Sequence, residues 1–205
     1  MDIVCLDLEG VLIPEVWINF AEKTGIESLR ATTRDVPDYD VLMRQRLKIL
    51  DENGLKLPDI QEVIGEMGPM EGAREFLDEL RETYQVVILS DTFYDFAEPM
   101  MRQLGWPTLF CHRLEIAEDG RVANYKLRMP DQKRHSVEAF QKLNFKVMAA
   151  GDSYNDTTML GAAEAGILFR SPDNVIREFP QFPHVTEYDD LADQFREASK
   201  RINGG

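Results

Sequence analysis

Three short apolar runs constrain this chain more than anything else in it: Ile3-Val4-Cys5-Leu6, Val86-Val87-Ile88-Leu89 and Val147-Met148-Ala149-Ala150. Each is continuous rather than alternating, as a strand buried on both faces of a parallel sheet reads. Each also ends in a polar cluster: Asp7, Ser90-Asp91 and Gly151-Asp152. Helical patterns lie between them, with Ala73, Phe76, Leu77 and Leu80 before the second run and Phe96, Met100, Met101 and Leu104 after it. The alternation predicts an α/β fold with a doubly wound, mainly parallel sheet. In such a sheet the carboxyl ends of the strands share one edge, so the three polar clusters converge in the crevice where these folds bind ligands.

Two stretches depart from that rhythm. Leu114-Glu115-Ile116 and Arg121-Val122-Ala123 flank Glu118-Asp119-Gly120, a turn signal that predicts a small β-hairpin between Arg113 and Ala123. From about Pro14 to Pro69 no strand pattern is found. Trp17, Phe20 and Ala21, and then Val41 through Leu50 with Leu47 on the apolar side, carry helical spacing instead. An insertion of that length directly after the first strand predicts a helical cap over the carboxyl edge. The expected division is a core domain of residues 1–13 and 70–205 and a cap domain of residues 14–69. Leu191, Phe195, Ala198 and Ile202 predict a last amphipathic helix before a frayed Asn203-Gly204-Gly205 tail.

Composition sets the outer bounds. With 205 residues, 43% of them hydrophobic and 29% charged, the chain can bury the core of one domain plus an insertion, which excludes disorder as its main state. Its 37 acidic residues against 23 basic ones give a net charge of -14, and no basic stripe breaks the excess, so nucleic acid is not an expected partner. Cys5 and Cys111 are too few for a disulfide framework and read as packing thiols in a reducing compartment. Acids stand near the N-terminus where a signal peptide carries Lys or Arg, and no apolar run reaches the roughly 20 residues of a membrane span. The expectation is a soluble, cytoplasmic protein with no membrane partner.

Asp7-Leu8-Glu9-Gly10 places two carboxylates two residues apart where a strand leaves the sheet. Such a pair can bind a hard divalent cation while one acid serves as nucleophile and the other as general acid or base. Gly151-Asp152-Ser153-Tyr154-Asn155-Asp156 follows another strand and opens a helix. Asp152 there can be a simple helix cap, but capping does not explain Asp156, about one turn further on the same side. Two acid clusters at the ends of different strands repel each other unless a cation lies between them, and magnesium suits a few carboxylates, waters and phosphate oxygens. Ser90 offers a hydroxyl and an amide for a phosphoryl oxygen. Lys133 can neutralise phosphate and nucleophile together, with Lys126 and Arg134 as competitors for that place.

Taken in order, these four pieces resemble the haloacid dehalogenase-like phosphohydrolase superfamily over nearly the whole chain. Motif one matches Asp7-Leu8-Glu9-Gly10-Val11-Leu12, motif two Ser90, motif three Lys133, and motif four Gly151 through Asp156. The resemblance implies a Rossmann-like core. Glu9 stands where the family usually has aspartate, so its backbone carbonyl can still serve the metal while its longer side chain changes the reach of the acid/base group. Asp91 stands where motif two usually has glycine.

Within the superfamily the chain looks like the phosphoserine phosphatase branch. Glu15 matches a glutamate that meets the substrate ammonium, Arg46 an arginine that grips its carboxylate, and Tyr39 an aromatic position of the pocket, with Arg44 read as a solvated helix residue. Glu9 and Asp91 more narrowly resemble the bifunctional subgroup that is both phosphoserine phosphatase and phosphoserine:homoserine phosphotransferase. The resemblance thus implies a catalytic set of Asp7, Glu9, Ser90 and Lys133. The implied substrate set is Glu15, Tyr39, Arg46, Ser90, Asp91, Lys133 and Asn155, and the magnesium set Asp7, Glu9, Asp152 and Asp156. Its small-molecule partners would be O-phospho-L-serine, L-homoserine and water, with a homodimer left open.

Other readings compete. A phosphatase for a different small phosphomonoester shares every core motif, because the cap sets the substrate. A receiver domain of response regulators also combines a phosphorylated aspartate, a hydroxyl, a lysine and magnesium, but keeps its paired acids on the first strand and has no helical cap. A calcium-binding loop is a weaker reading still, since Asp152 to Asp156 lacks the EF-hand glycine and terminal glutamate. His112, His135 and His184 show no metal spacing and are read as structural.

Overall fold

In the computed structural model, which describes residues 1–32, 35–36 and 38–204, the chain runs in order through β1 (Asp2–Leu6), α1 (Val16–Thr24), α2 (Tyr39–Glu52), α3 (Leu57–Met67), α4 (Ala73–Thr83), β2 (Gln85–Phe93), α5 (Tyr94–Gln103), β3 (Thr108–Ile116), β4 (Val122–Lys126), α6 (Gln132–Lys142), β5 (Lys146–Gly151), α7 (Thr157–Ala162), β6 (Ala165–Phe169), α8 (Asp173–Glu178), β7 (His184–Val185) and α9 (Tyr188–Ile202). Thr33, Arg34 and Pro37 of the insertion and Gly205 of the tail lie outside the described residues. The strands form one seven-stranded sheet in the order β4-β3-β2-β1-β5-β6-β7. β1 pairs in parallel with β2 on one side and β5 on the other, and only the β3–β4 pairing is antiparallel.

The continuous apolar runs are explained by burial on both faces. Val4, Leu6, Ile88, Met148 and Ala150 face one core, closed by Phe76 and Leu77 of α4, Phe96 of α5 and Phe195 of α9. Ile3, Cys5, Leu89, Val147 and Ala149 face the other, closed by Val137 of α6, Met159 and Leu160 of α7 and Val175 of α8. Successive strand residues point to opposite faces, so every position of such a run meets a helix layer.

The chain winds outward from β1 in both directions, which makes the β1–β5 junction the switch point of the sheet. Leu6 pairs with Ala150 there, and the Asp7 amide donates to the Ala150 carbonyl at 3.0 Å. Helices α1 to α3, with a short 3-10 turn at Glu27–Arg30, occupy the segment between β1 and β2, and no strand is found there among the described residues.

Three local expectations change. β2 does not end at Leu89 but continues to Phe93, with its pairing to β3 irregular between Leu89 and Phe93, so Ser90 and Asp91 lie inside the strand. The hairpin is larger than its sequence signal: β3 begins at Thr108 as a parallel neighbour of β2 and only its second half pairs with β4. Asp152 does not open a helix. Ser153 caps a 3-10 turn at Tyr154–Asp156, and α7 starts only at Thr157.

Candidate active site

The site is built where β1 and β5 release their chains, beside the stretch of β2 that carries Ser90 and Asp91. Asp7 leaves β1 with 4% of its surface exposed, and Asp156 is fully buried beyond β5. The Lys133 ammonium, from the first turn of α6, lies 2.9 Å from Asp7 Oδ1 and 2.8 Å from Asp156 Oδ1. It also faces Asp91 Oδ2 at 3.7 Å. The competitors for its place are elsewhere: Lys126 is exposed at the end of β4, and Arg134 pairs with Asp131 and Glu138 on the outer face of α6.

Asp156 is held by the loop it closes. Its Oδ2 accepts from the backbone amides of Asp152 and Ser153 at 3.0 and 3.1 Å, which leaves Oδ1 for Lys133. Asp7, Asp152 and Asp156 each bring one carboxylate oxygen to within 4.8 Å of the others. Gly10 makes this approach possible: with φ at +76° it takes a backbone shape that costs glycine little, and a Cβ there would stand 2.5 Å from Asp152 Cγ.

The electrostatics of the cluster suit a cation. Burial, then repulsion from Asp156, pushes Asp152 up to about 7, and burial with Asp156 as neighbour drives Asp7 well above the usual carboxylate range against the pull of Lys133. Burial works to lower the Lys133 ammonium, and Asp156, Asp7 and Asp91 together outweigh it, so the group stays charged. Three hard oxygen donors facing one another with one lysine to balance them suit a small divalent ion. The Glu9 carboxylate is not in this group. Its Oε2 accepts from the Val16 amide at 2.9 Å at the start of α1, and burial beside Glu15 pushes it up to about 7.

Ser90, 2% exposed, turns its Oγ toward the Thr92 amide at 3.3 Å. The half-buried Asp91 carboxylate collects donors: Asn155 Nδ2 at 3.1 Å, Gln132 Nε2 at 3.4 Å and His112 Nε2 at 3.5 Å. Burial alone would raise its pKa, but Lys133 and these donors hold Asp91 well below the usual carboxylate range. From the insertion, Tyr39 donates its hydroxyl to the Asp91 carbonyl at 3.4 Å. Arg46 is buried on α2, and Glu15 is exposed just ahead of α1, with both acting electrostatically on Glu9. Arg44 points away and pairs with Asp40 at the surface.

The family model for haloacid dehalogenase-like hydrolases matches residues 1–164. The chain belongs to this family. It is 68% identical over 201 residues to "Phosphoserine phosphatase ThrH" of Pseudomonas aeruginosa, covering 98% of each chain. It is 69% identical over 201 residues to "Phosphoserine phosphatase" of Pseudomonas syringae pv. tomato, covering 98% of this chain and 85% of that one. Among solved structures, a phosphoserine phosphatase from T. onnurineus superposes with a TM-score of 0.70 at 26% identity, covering 94% of this chain and 92% of the other.

As a member of this family, the chain brings its four motifs to one sheet edge, and the structure adds residues that sequence reasoning passed over. His112, read as structural, accepts the Arg128 amide on Nδ1 at 3.1 Å, which leaves Nε2 to face Asp91. Gln132, next to Lys133 in sequence, is 1% exposed and donates to the Ser90 carbonyl. The only sequence signal for Gln132 was its adjacency to a motif lysine, and for His112 there was none. His135 pairs with Glu138 on the outer face of α6, away from the acid cluster.

Proposed function

We propose that the chain is a magnesium-dependent phosphoserine phosphatase that works through a phosphorylated Asp7 and also passes the phosphoryl group to L-homoserine. The observation that carries the reading is the buried Lys133 ammonium, bridging Asp7 at 2.9 Å and Asp156 at 2.8 Å beside a third acid, Asp152. That arrangement offers an anionic nucleophile within reach of a fixed positive charge. The names of two relatives at 68% and 69% identity support phosphoserine as the substrate. Asp7, Asp152 and Asp156 would hold the magnesium, with the Glu9 carbonyl as a further oxygen donor. When bound, the ion neutralises charge on the acid cluster and on the phosphoryl oxygens.

Asp7 attacks phosphorus with a carboxylate oxygen, and the bond from phosphorus to the serine oxygen breaks. Glu9, pushed up to about 7, is poised to give its proton to that departing oxygen. Ser90 and Lys133 hold the non-bridging phosphoryl oxygens, with Asp91 and Asn155 bordering the phosphate side. In the second half, Glu9 takes the proton from the acceptor hydroxyl as that oxygen attacks phosphorus and releases the Asp7 carboxylate. Water as acceptor gives inorganic phosphate; homoserine, one methylene longer than serine, gives a new phosphomonoester.

Residues 14–69 act as the specificity cap in this reading, with Glu15 facing the substrate ammonium, Arg46 its carboxylate and Tyr39 lining the pocket. No helix among the described residues is long and apolar enough to cross a membrane. The two buried free thiols suit a reducing compartment, in keeping with work in the cytoplasm.

Phosphorus NMR of the protein with O-phospho-L-serine, magnesium and L-homoserine tests the whole proposal. Growth of inorganic phosphate together with a new phosphomonoester signal is the expected result. Inorganic phosphate alone removes the transferase half, and an unchanged phosphoserine signal removes the substrate.

A further inference from the structure

Arg46 is only 7% exposed, yet its donors are spent sparingly. One terminal nitrogen donates to the Ala31 carbonyl at 2.9 Å, the other lies 3.8 Å from the Met43 sulfur, and Nε has no hydrogen-bond partner. No carboxylate stands within ion-pair distance of the group among the described residues. Burying a guanidinium this way is unfavourable unless something else holds it. Glu9 attracts it from beyond ion-pair distance, and the group in contact with its face is Trp17 of α1, whose ring centroid lies 4.4 Å from the guanidinium carbon.

The indole is itself fixed from both sides. It meets Phe20 edge-on at 6.3 Å within its own helix and Phe96 of α5 at 5.5 Å. α5 follows β2 directly, and β2 carries Ser90 and Asp91. One aromatic ring therefore connects the arginine of the insertion to the element behind the phosphate side of the site.

We propose that Trp17 is a positioning and specificity-determining residue, its face holding the Arg46 guanidinium flat so that the N–H groups not given to the Ala31 carbonyl stay available for a substrate carboxylate. The proposal rests on the role given to Arg46 above. A planar guanidinium stacks through its face and hydrogen-bonds through its edge, so an aromatic partner fixes its orientation without consuming the donors that a bidentate carboxylate needs. An acidic partner in the same place would compete with the substrate. The attraction is also strongest where water is excluded, as it is here.

The test compares O-phospho-L-serine with O-phosphoethanolamine, which keeps phosphate and ammonium and lacks only the carboxylate. In Trp17→Leu, KM for phosphoserine should rise about thirtyfold with kcat nearly unchanged, the size expected for one desolvated cation–π contact. Values for phosphoethanolamine should barely move, and Trp17→Phe should fall between Leu and wild type. Equal losses on both substrates, or none on either, overturn the proposal. If Trp17→Leu fails to fold, Trp17→Phe and fluorescence decide it.

The chain has two tryptophans, so Trp106→Phe leaves Trp17 as the sole emitter. Combined with Asp7→Asn to stop turnover, its emission should change with phosphoserine and stay constant with phosphoethanolamine. A constant signal with both overturns the proposal. Arg46→Ala run alongside separates the two readings. If it discriminates between the substrates while the Trp17 variants do not, only Trp17 loses its role; if it does not discriminate, the assignment of Arg46 itself fails.

Discussion

Lys133 meets three carboxylates, and they are not equivalent: Asp7 and Asp156 also belong to the acid triad, whereas Asp91 does not. Asp91 is thus the anion that would be left to the lysine if the other two shared a cation. Its depressed pKa has a readable consequence. A carboxyl held below its unfolded value of about 4 contributes stability above that value and loses it as pH falls through the folded one. The melting-temperature gap between wild type and Asp91→Asn should therefore be widest above about pH 5 and close in stronger acid; a gap that does not change with pH would show that the charge of Asp91 is not what its neighbours stabilise. Glu9 separates two roles at the same scale, because its carboxylate points to the Val16 amide and not into the triad. Glu9→Gln should lower kcat by about 10²–10⁴, the usual span for a lost acid/base group, while metal-induced stabilisation persists. Loss of that stabilisation would put the side chain among the ligands. Asp7→Asn should end turnover altogether, and phosphate release above background would remove Asp7 as nucleophile.

At the scale of elements, the loops after β1 and β5 decide the geometry. Both are short, and they touch: a Cβ on Gly10 would collide with Asp152, and one on Gly151 would stand 2.4 Å from the Asp156 Cβ. Gly10→Ala should cost about 1–3 kcal/mol from its left-handed backbone alone, with added strain from the collision. Paired thermal melts with and without magnesium should show a lower melting temperature and a smaller response to the ion. An unaltered response would mean that the loop yields without moving Asp152. The elements also mark where local sequence was a poor guide. Leu89 closes the apolar run, so the strand was expected to stop there, yet tertiary pairing with β3 carries it to Phe93. β6, Ala165–Phe169, is as buried as its neighbours but was not singled out, because its bulky apolar run, Ile167-Leu168-Phe169, is only three residues long and follows Gly166.

For the whole molecule, the acid triad is a built-in repulsion that folding tolerates and a bound cation would relieve. Magnesium at about 100 times its Kd should add about 2.7 kcal/mol and raise the melting temperature by roughly 5–10 °C. Differential scanning fluorimetry reads this without turnover, and a flat response would argue against the triad as the metal site. The sequence by itself determined the α/β class, the order of the polar clusters and their convergence, because continuous apolar runs demand two covered faces and parallel strands put their carboxyl ends on one edge. It also carried Asp7, Lys133, Asp152 and Asp156, which lie in motifs tied to strand or helix ends. Only the tertiary structure decided that the Glu9 side chain faces α1, that His112 and Gln132 close on Asp91, and that Trp17 lies under Arg46. These contacts join elements distant in the chain through side-chain packing, and a local pattern of apolar and polar residues holds no record of which side chains will meet across two packed elements.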